Sequence, residues 1–274
     1  MFRCCCFYGA IPGAGKTYLA PTVIDSLQGS TSEKLGYFHC HRAEENCRQP
    51  ESILNTLIHQ FVPTEKNQLS TPIVDIYHKR EQQGQTSSRL SFMESLELLV
   101  QLTDIHPQAT ICIDALDEVE YGIPLQLLTS LKHVVERSKN LVKIFATTGM
   151  DTDIVRQFEM FPRIDLQPDD NVTDIKRFVE SKVQSIIDDR LLLDGKVDSE
   201  RKAEIREVFC KRSKGIFQLA ALDITEFFCD MVTPRDVRRS LTSLPTTLTE
   251  AYGEIYKRIL SQKGSAARLA LNEF

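Results

Sequence analysis

The sequence predicts an α/β fold, a parallel sheet with helices on both faces, followed by a small helical domain. Three observations predict it. Short, nearly continuous apolar runs recur near 3–9, 35–40, 109–113, 142–147 and 162–166, the pattern of strands covered on both sides. Helix-forming stretches near 16–28, 50–61, 89–103, 123–137 and 151–158 alternate with them, as crossovers between parallel strands require. After the turn cluster Pro168-Asp169-Asp170-Asn171 the strands cease, and Val172, Ile175, Phe178, Val179, Val183, Ile186 and Ile187 recur at helical spacing.

The helical part continues with stretches at 199–213, 217–230, 234–242 and 246–262, broken by a loop around Leu193-Asp194-Gly195. Residues 62–88 are polar and glutamine-rich, and are expected to form an irregular exposed insertion without chemistry of its own.

Composition narrows the function classes. At 274 residues the chain has room for about two domains. A net charge of −5 and a pI near 5.8 argue against broad nucleic-acid binding. No segment approaches the ~20 apolar residues of a membrane span, and the apolar run from Cys4 to Ile11, which could be mistaken for a signal peptide, is short and runs into the glycine-rich turn. The eight cysteines form no disulfide framework, since Cys4, Cys5 and Cys6 are contiguous, Cys112 lies in a strand, and Cys210 and Cys229 lie in helical runs. Reduced thiols and a cytoplasmic location are expected. Cys4 to Cys6 are expected to line a buried strand. His39, Cys40, His41 and Cys47 match no common zinc spacing, and adjacent strand residues point to opposite faces.

Between the first strand and the first helix stands Ala10-Ile11-Pro12-Gly13-Ala14-Gly15-Lys16-Thr17. A glycine-rich turn from strand to helix points backbone N–H groups at a phosphate chain. Gly13 and Gly15 let the backbone curl, Lys16 supplies a point charge, and the Thr17 hydroxyl is placed to ligate magnesium. Ala10 occupies the position usually held by glycine. If that position requires φ > 0 the alanine is strained, and if it is an extended strand end it is not.

A phosphate-bound magnesium also needs a carboxylate at the carboxyl end of a strand, expected beside the first. Ala109-Thr110-Ile111-Cys112-Ile113-Asp114-Ala115-Leu116-Asp117-Glu118 supplies it. Asp114 is the candidate magnesium ligand, and Asp117 or Glu118 the candidate to polarise an attacking water.

Further landmarks are Tyr37-Phe38-His39-Cys40 followed by Ser52 to Gln60, Lys143-Ile144-Phe145-Ala146-Thr147-Thr148, Gly215-Ile216-Phe217, and Leu244-Pro245 with Leu248 and Tyr252. With the two motifs, these resemble the NACHT group of STAND nucleotide switches, in particular the fungal and nephrocystin-like members that carry ankyrin or WD repeats. The resemblance spans nearly the whole chain. It implies a P-loop NTPase domain over 1–167, a helical lid over 168–245 and the start of a winged helix over 246–274. It also implies ATP or ADP with Mg2+ as the ligand. Ala10, Pro12, Gly13, Ala14, Gly15, Lys16 and Thr17 would cradle the phosphates, Thr147 or Thr148 would hydrogen-bond phosphate or water, and Phe217 would either abut the adenine or form helix core. Protein partners and a nucleotide-driven homo-oligomer are implied, without nucleic acid or membrane.

Where the family usually reads Thr-Ser-Arg-Pro, this chain reads Thr147-Thr148-Gly149-Met150. The arginine that would sense the terminal phosphate is absent, which implies slow or vestigial hydrolysis. The leading expectation is therefore an ATP-binding switch, in an isolated module or a fragment of a larger repeat protein. Two other classes compete. One is a non-catalytic scaffold that binds nucleotide for stability. The other is a P-loop kinase-like enzyme, for which Arg201, Arg206 and Arg212 are available as phosphate-lid cations.

Overall fold

The computed structural model describes residues 5–29, 33–42, 49–63, 70–84, 89–119, 123–150, 156, 162–227, 231 and 233–261. Contacts divide the chain into two units, one of residues 1–11 and 16–166, the other of residues 12–15 and 167–274.

The first unit is built on five parallel strands: β1 (Cys5–Ala10), β2 (Lys34–His39), β3 (Gln108–Asp114), β4 (Leu141–Thr148) and β5 (Arg163–Leu166). Their order is β2-β3-β4-β1-β5. The acidic motif was expected on a strand next to β1. Instead β4 hydrogen-bonds to both β1 and β3 and separates them. The consequence reaches the site, because the end of β4 lies between the ends of β1 and β3.

Helices α1 (Lys16–Gln28), α2 (Pro50–Phe61), α3 (Thr71–Gln82), α4 (Phe92–Thr103) and α5 (Ile123–Arg137) complete this unit. Strand side chains alternate between faces, and the burial follows. Ala109, Ile111, Ile113, Val142, Ile144 and Ala146 pack with α2, α4 and α5. Cys112 and Phe145 pack on the other face with Ala20 and Ile24 of α1. Burial pushes the Cys112 thiol up to about 12, so it stays protonated and inert. The edge strand β2 is covered by Gln60, which accepts from the Tyr37 N–H at 2.6 Å and donates to the Tyr37 carbonyl at 3.0 Å.

Helix α4 begins at Phe92, since Ser91 and Glu94 form a capping box just before it. Within 62–88 the expected irregular segment is corrected, because residues 71–82 are helical. Pro72 stands in the first turn, where no N–H is needed, and Ile73 and Ile76 pack against the core while none of the helix is fully buried. Such shallow burial leaves little apolar signal to read. The helix expected at 151–158 and the side chains of Cys4 to Cys6 and Cys47 lie outside the described residues.

The second unit contains α6 (Val172–Asp188), α7 (Ser199–Ser213), α8 (Phe217–Leu222), α9 (Pro234–Ser243) and α10 (Leu248–Ser261). Its core joins Ile175, Val179, Val183, Ile205, Phe209, Ile224 and Val237. The helix expected over 217–230 passes into a π segment at Asp223–Phe227. No helix among the described residues is long and apolar enough to cross a membrane.

Asp223 is fully buried in this core, and neither carboxylate oxygen has a hydrogen-bond partner among the described residues. Burial pushes its carboxyl up to about 7 against the opposing pull of Arg212. The folded chain therefore keeps a proton that the unfolded chain releases near 3.8. Stability falls as pH rises through this window, by up to about 1.4 kcal/mol per pH unit, and the penalty is complete above about 7. Asp223→Asn is expected to flatten this dependence and to raise the melting temperature at pH 8 by several degrees. Thermal melts of both proteins between pH 4 and pH 8 check it, and parallel curves would show that this carboxyl does not titrate with folding.

Candidate nucleotide site

Ala10 is the last residue of β1, pairs with Leu166 and is fully buried. It is an extended strand end, so alanine carries no strain there. The turn that follows takes positive φ at Gly13 (76°) and Gly15 (103°), conformations that only glycine adopts without cost. By contacts Pro12–Gly15 group with the second unit. Lys16 and Thr17 then open α1, with the Thr17 side chain exposed. Lys16 Nζ donates to the Ala10 carbonyl at 3.2 Å and stands 3.8 Å from Asp117 Oδ2. The sequence motif thus brings its lysine to the acidic motif.

Asp114 ends β3, and its residue is 7% exposed. Its Oδ1 accepts the Thr147 hydroxyl at 2.5 Å, and its Oδ2 lies 3.1 Å from His39 Nδ1. The chain turns immediately after it, with Ala115 in the left-handed region at φ 56°, a strained position for alanine. The Ala115 N–H donates to Thr147 Oγ1 at 2.9 Å. One threonine hydroxyl therefore fastens both the carboxylate and the strained turn behind it. Thr147 is fully buried, and its hydroxyl is already engaged on both sides. Thr148 is also buried, and its hydroxyl has no partner among the described residues.

The turn Leu116–Glu118 separates the two acids that sequence left as alternatives. Asp117 Oδ1 accepts the Gly149 N–H at 2.7 Å, while Oδ2 faces Lys16. Glu118 instead points toward β2's loop, its Oε2 accepting the Arg42 N–H at 3.0 Å. Gly149 is not in the positive-φ region. A Cβ built on it would sit 2.7 Å from Asp117 Oδ2, so the absence of a side chain there is what lets Asp117 close on the end of β4.

Phe217 heads α8 and stacks edge-on against Phe178 at 5.5 Å. A Cβ on Gly15 would meet its ring at 3.3 Å. Its ring therefore both borders the helical core and backs the turn. The three arginines considered as lid cations have other partners: Arg206 pairs with Glu180 at 2.6 Å, Arg212 donates to the Leu244 carbonyl at 2.9 Å, and Arg201 lies 3.9 Å from Asp198.

Sequence reasoning missed Asn171, whose Nδ2 donates to the Ala14 carbonyl at 3.1 Å. It also missed His39 as a neighbour of Asp114, although β2–β3 register puts those two residues side by side.

Thr17 offers an exposed hydroxyl and Asp114 a buried carboxylate, oxygen donors of the kind magnesium takes. The Thr148 hydroxyl, buried without a partner among the described residues, is a further polar group at the carboxyl end of the sheet.

Comparison with known proteins gives the family. The profile of the family described as Nephrocystin 3, N-terminal matches residues 3–148, more than half of the 274. The vegetative incompatibility protein HET-E-1 of Podospora anserina is 22% identical over 265 residues, covering 90% of this chain. The chain spans 18% of that relative's length. Among solved structures, a Walker-type ATPase of Pyrococcus abyssi aligns with a TM-score of 0.47 at 15% identity, over 98% of this chain and 78% of that one. Cdc6p of Pyrobaculum aerophilum aligns with a TM-score of 0.48 at 14% identity, over 88% of this chain and 60% of that one. Motifs, sheet and family match converge: the chain belongs to the nephrocystin 3 N-terminal family, as a nephrocystin-like module of the NACHT type.

Proposed function

We propose that this module binds ATP or ADP with Mg2+ and acts as a slow nucleotide switch, in the cytoplasm and in partnership with other proteins or further copies of itself. The observation that carries this reading is Lys16 set between the end of β1 and Asp117. A cation at the end of a glycine-rich turn, facing a carboxylate in the turn that follows a parallel strand, suits the terminal phosphates of a triphosphate.

In this reading the turn 12–15 and Lys16 hold the phosphate chain, while Thr17 and Asp114 hold magnesium. Bound magnesium would offset charge on the transferring phosphoryl group. Thr147 keeps Asp114 in place through its hydroxyl, which makes it a positioning residue and not a phosphate contact. Asp117 is the better base, since it faces Lys16 whereas Glu118 is tied to the Arg42 backbone. Water attacks the terminal phosphorus, its proton passes to Asp117, and the bond to the bridging oxygen breaks with its electron pair leaving on ADP. Two features support slow turnover: the Gly149 N–H already occupies one Asp117 oxygen, and Gly149 brings no cation to the end of β4. Nucleotide state would then alter the population of conformers that partners recognise.

Single-turnover hydrolysis tests the assignment. Asp117→Asn is expected to slow turnover by about 100-fold with Mg-ATP affinity within about threefold of wild type, while Glu118→Gln changes the rate less than about threefold. The reverse ranking would move the base to Glu118. Gly149 also favours one second reading, a scaffold that binds nucleotide without turnover, and a wild-type rate indistinguishable from buffer would select it.

A further inference from the structure

The amide of Asn171 does something that the motif alone does not supply. Asn171 closes the short turn Pro168–Asn171 and leads into α6. Its Nδ2 donates to two carbonyls, Ala14 at 3.1 Å and Gly215 at 3.0 Å. Beside it the Gln218 N–H donates to the Gly13 carbonyl at 3.2 Å. Two successive carbonyls of the glycine-rich turn are thus held by the segments 168–171 and 215–218.

Trans peptide geometry turns this into a statement about donors. No cis peptide occurs among the described residues, and in a trans peptide the C=O and N–H point in opposite directions. The Gly13 carbonyl shares its plane with the Ala14 N–H, and the Ala14 carbonyl shares its plane with the Gly15 N–H. Fixing both carbonyls toward Gln218 and Asn171 therefore aims both N–H groups at the opposite face of the turn. That face is where an oxyanion would be cradled.

Packing removes the freedom to flip. A Cβ on Gly13 would lie 2.8 Å from the Gln218 Cβ and 2.9 Å from the Ile216 Cγ2. A Cβ on Gly15 would touch Phe217, and one on Gly215 would strike the Pro168 carbonyl. Three glycines, at positive φ of 76°, 103° and 78°, let the turn, Asn171 and the start of α8 approach this closely.

We propose that Asn171 is a positioning residue for polyphosphate, one that presets the Ala14 and Gly15 N–H groups and links occupancy of the turn to the helical unit carrying it. The inference rests on the phosphate-binding reading above and extends it to a residue 155 positions along the chain from Lys16. Linkage makes the effect reciprocal, so a bound anion strengthens the Asn171 contacts as much as they strengthen its binding.

The test measures affinity for inorganic tripolyphosphate and for Mg-ATP, at a temperature well below the melting point of each protein. Asn171→Ala is expected to weaken both by the same factor, about tenfold, the scale of one lost hydrogen bond of about 1.4 kcal/mol. The isosteric Asn171→Asp cannot donate, repels both carbonyls and the anion, and is expected to weaken both further. If Asn171→Ala fails to fold, Asn171→Asp carries the comparison. A lower melting temperature with unchanged affinity in either variant would reduce Asn171 to a structural role and overturn the inference. Lys16→Ala is the control that separates the two ideas: if it too binds tripolyphosphate as wild type does, the phosphate-binding reading itself fails.

Discussion

Lys16→Ala is expected to lower Mg-ATP affinity by about 10- to 100-fold, because it removes a charge-assisted contact of about 1.5–3 kcal/mol. The fold should survive the change. Among the described residues the direct partners of Lys16 are the Ala10 carbonyl at 3.2 Å and Asp117 at 3.8 Å, and a partly exposed ion pair at that distance contributes about 0–1 kcal/mol. Thermal shift reads both effects together. At ligand concentrations about 100 times the wild-type dissociation constant, wild type gains about 2.7 kcal/mol, or roughly 5–10 °C for a chain of this size. A variant bound 100-fold more weakly gains only about 0.4 kcal/mol under the same conditions. Equal shifts in the two proteins would dissociate the lysine from the ligand.

Asp114→Asn carries the second large effect, and it falls on magnesium and not on the phosphates. Wild type should bind ATP about tenfold or more tightly with Mg2+ than with chelator, as expected where a carboxylate holds the metal. Asparagine keeps the shape but loses the charge, so the variant should bind equally in both conditions. The backbone around it is secured independently, since the Asp114 carbonyl accepts the Cys40 N–H at 3.0 Å and Thr147 also fastens Ala115. A magnesium increment as large as wild type's would assign the metal to another residue.

The central strands β3 and β4 were legible because each is a short apolar run buried on both faces. Sheet order was not, since nothing local tells β4 to insert between β1 and β3. Helix α3 was missed for a different reason: Thr71–Gln82 buries no residue fully, so tertiary contacts through Ile73 and Ile76 stabilise it without leaving a clear stripe. The cap of α4, by contrast, was present in the sequence as Ser91-Phe92-Met93-Glu94 and sets its start three residues later than the apolar spacing suggests.

At the candidate site, the positive φ of Gly13 and Gly15 follows from motif chemistry, because it depends on neighbours along the chain. The different partners of Asp117 and Glu118 depend on Gly149 and Arg42, which approach from the ends of other strands. Asn171 depends on a contact made from the far side of the sequence. Its placement within a Pro-Asp-Asp-Asn cluster reads as an ordinary turn, and only its contacts to the Ala14 and Gly215 carbonyls set it apart.

Calorimetric titration of the wild-type chain with Mg-ATP tests the phosphate-loop assignment most directly, with Lys16→Ala titrated alongside. One saturable site is predicted for wild type, weakened by chelating magnesium and weakened about 10- to 100-fold in Lys16→Ala. Folded wild-type protein that takes up no Mg-ATP, or a Lys16→Ala isotherm that overlays it, would contradict the assignment.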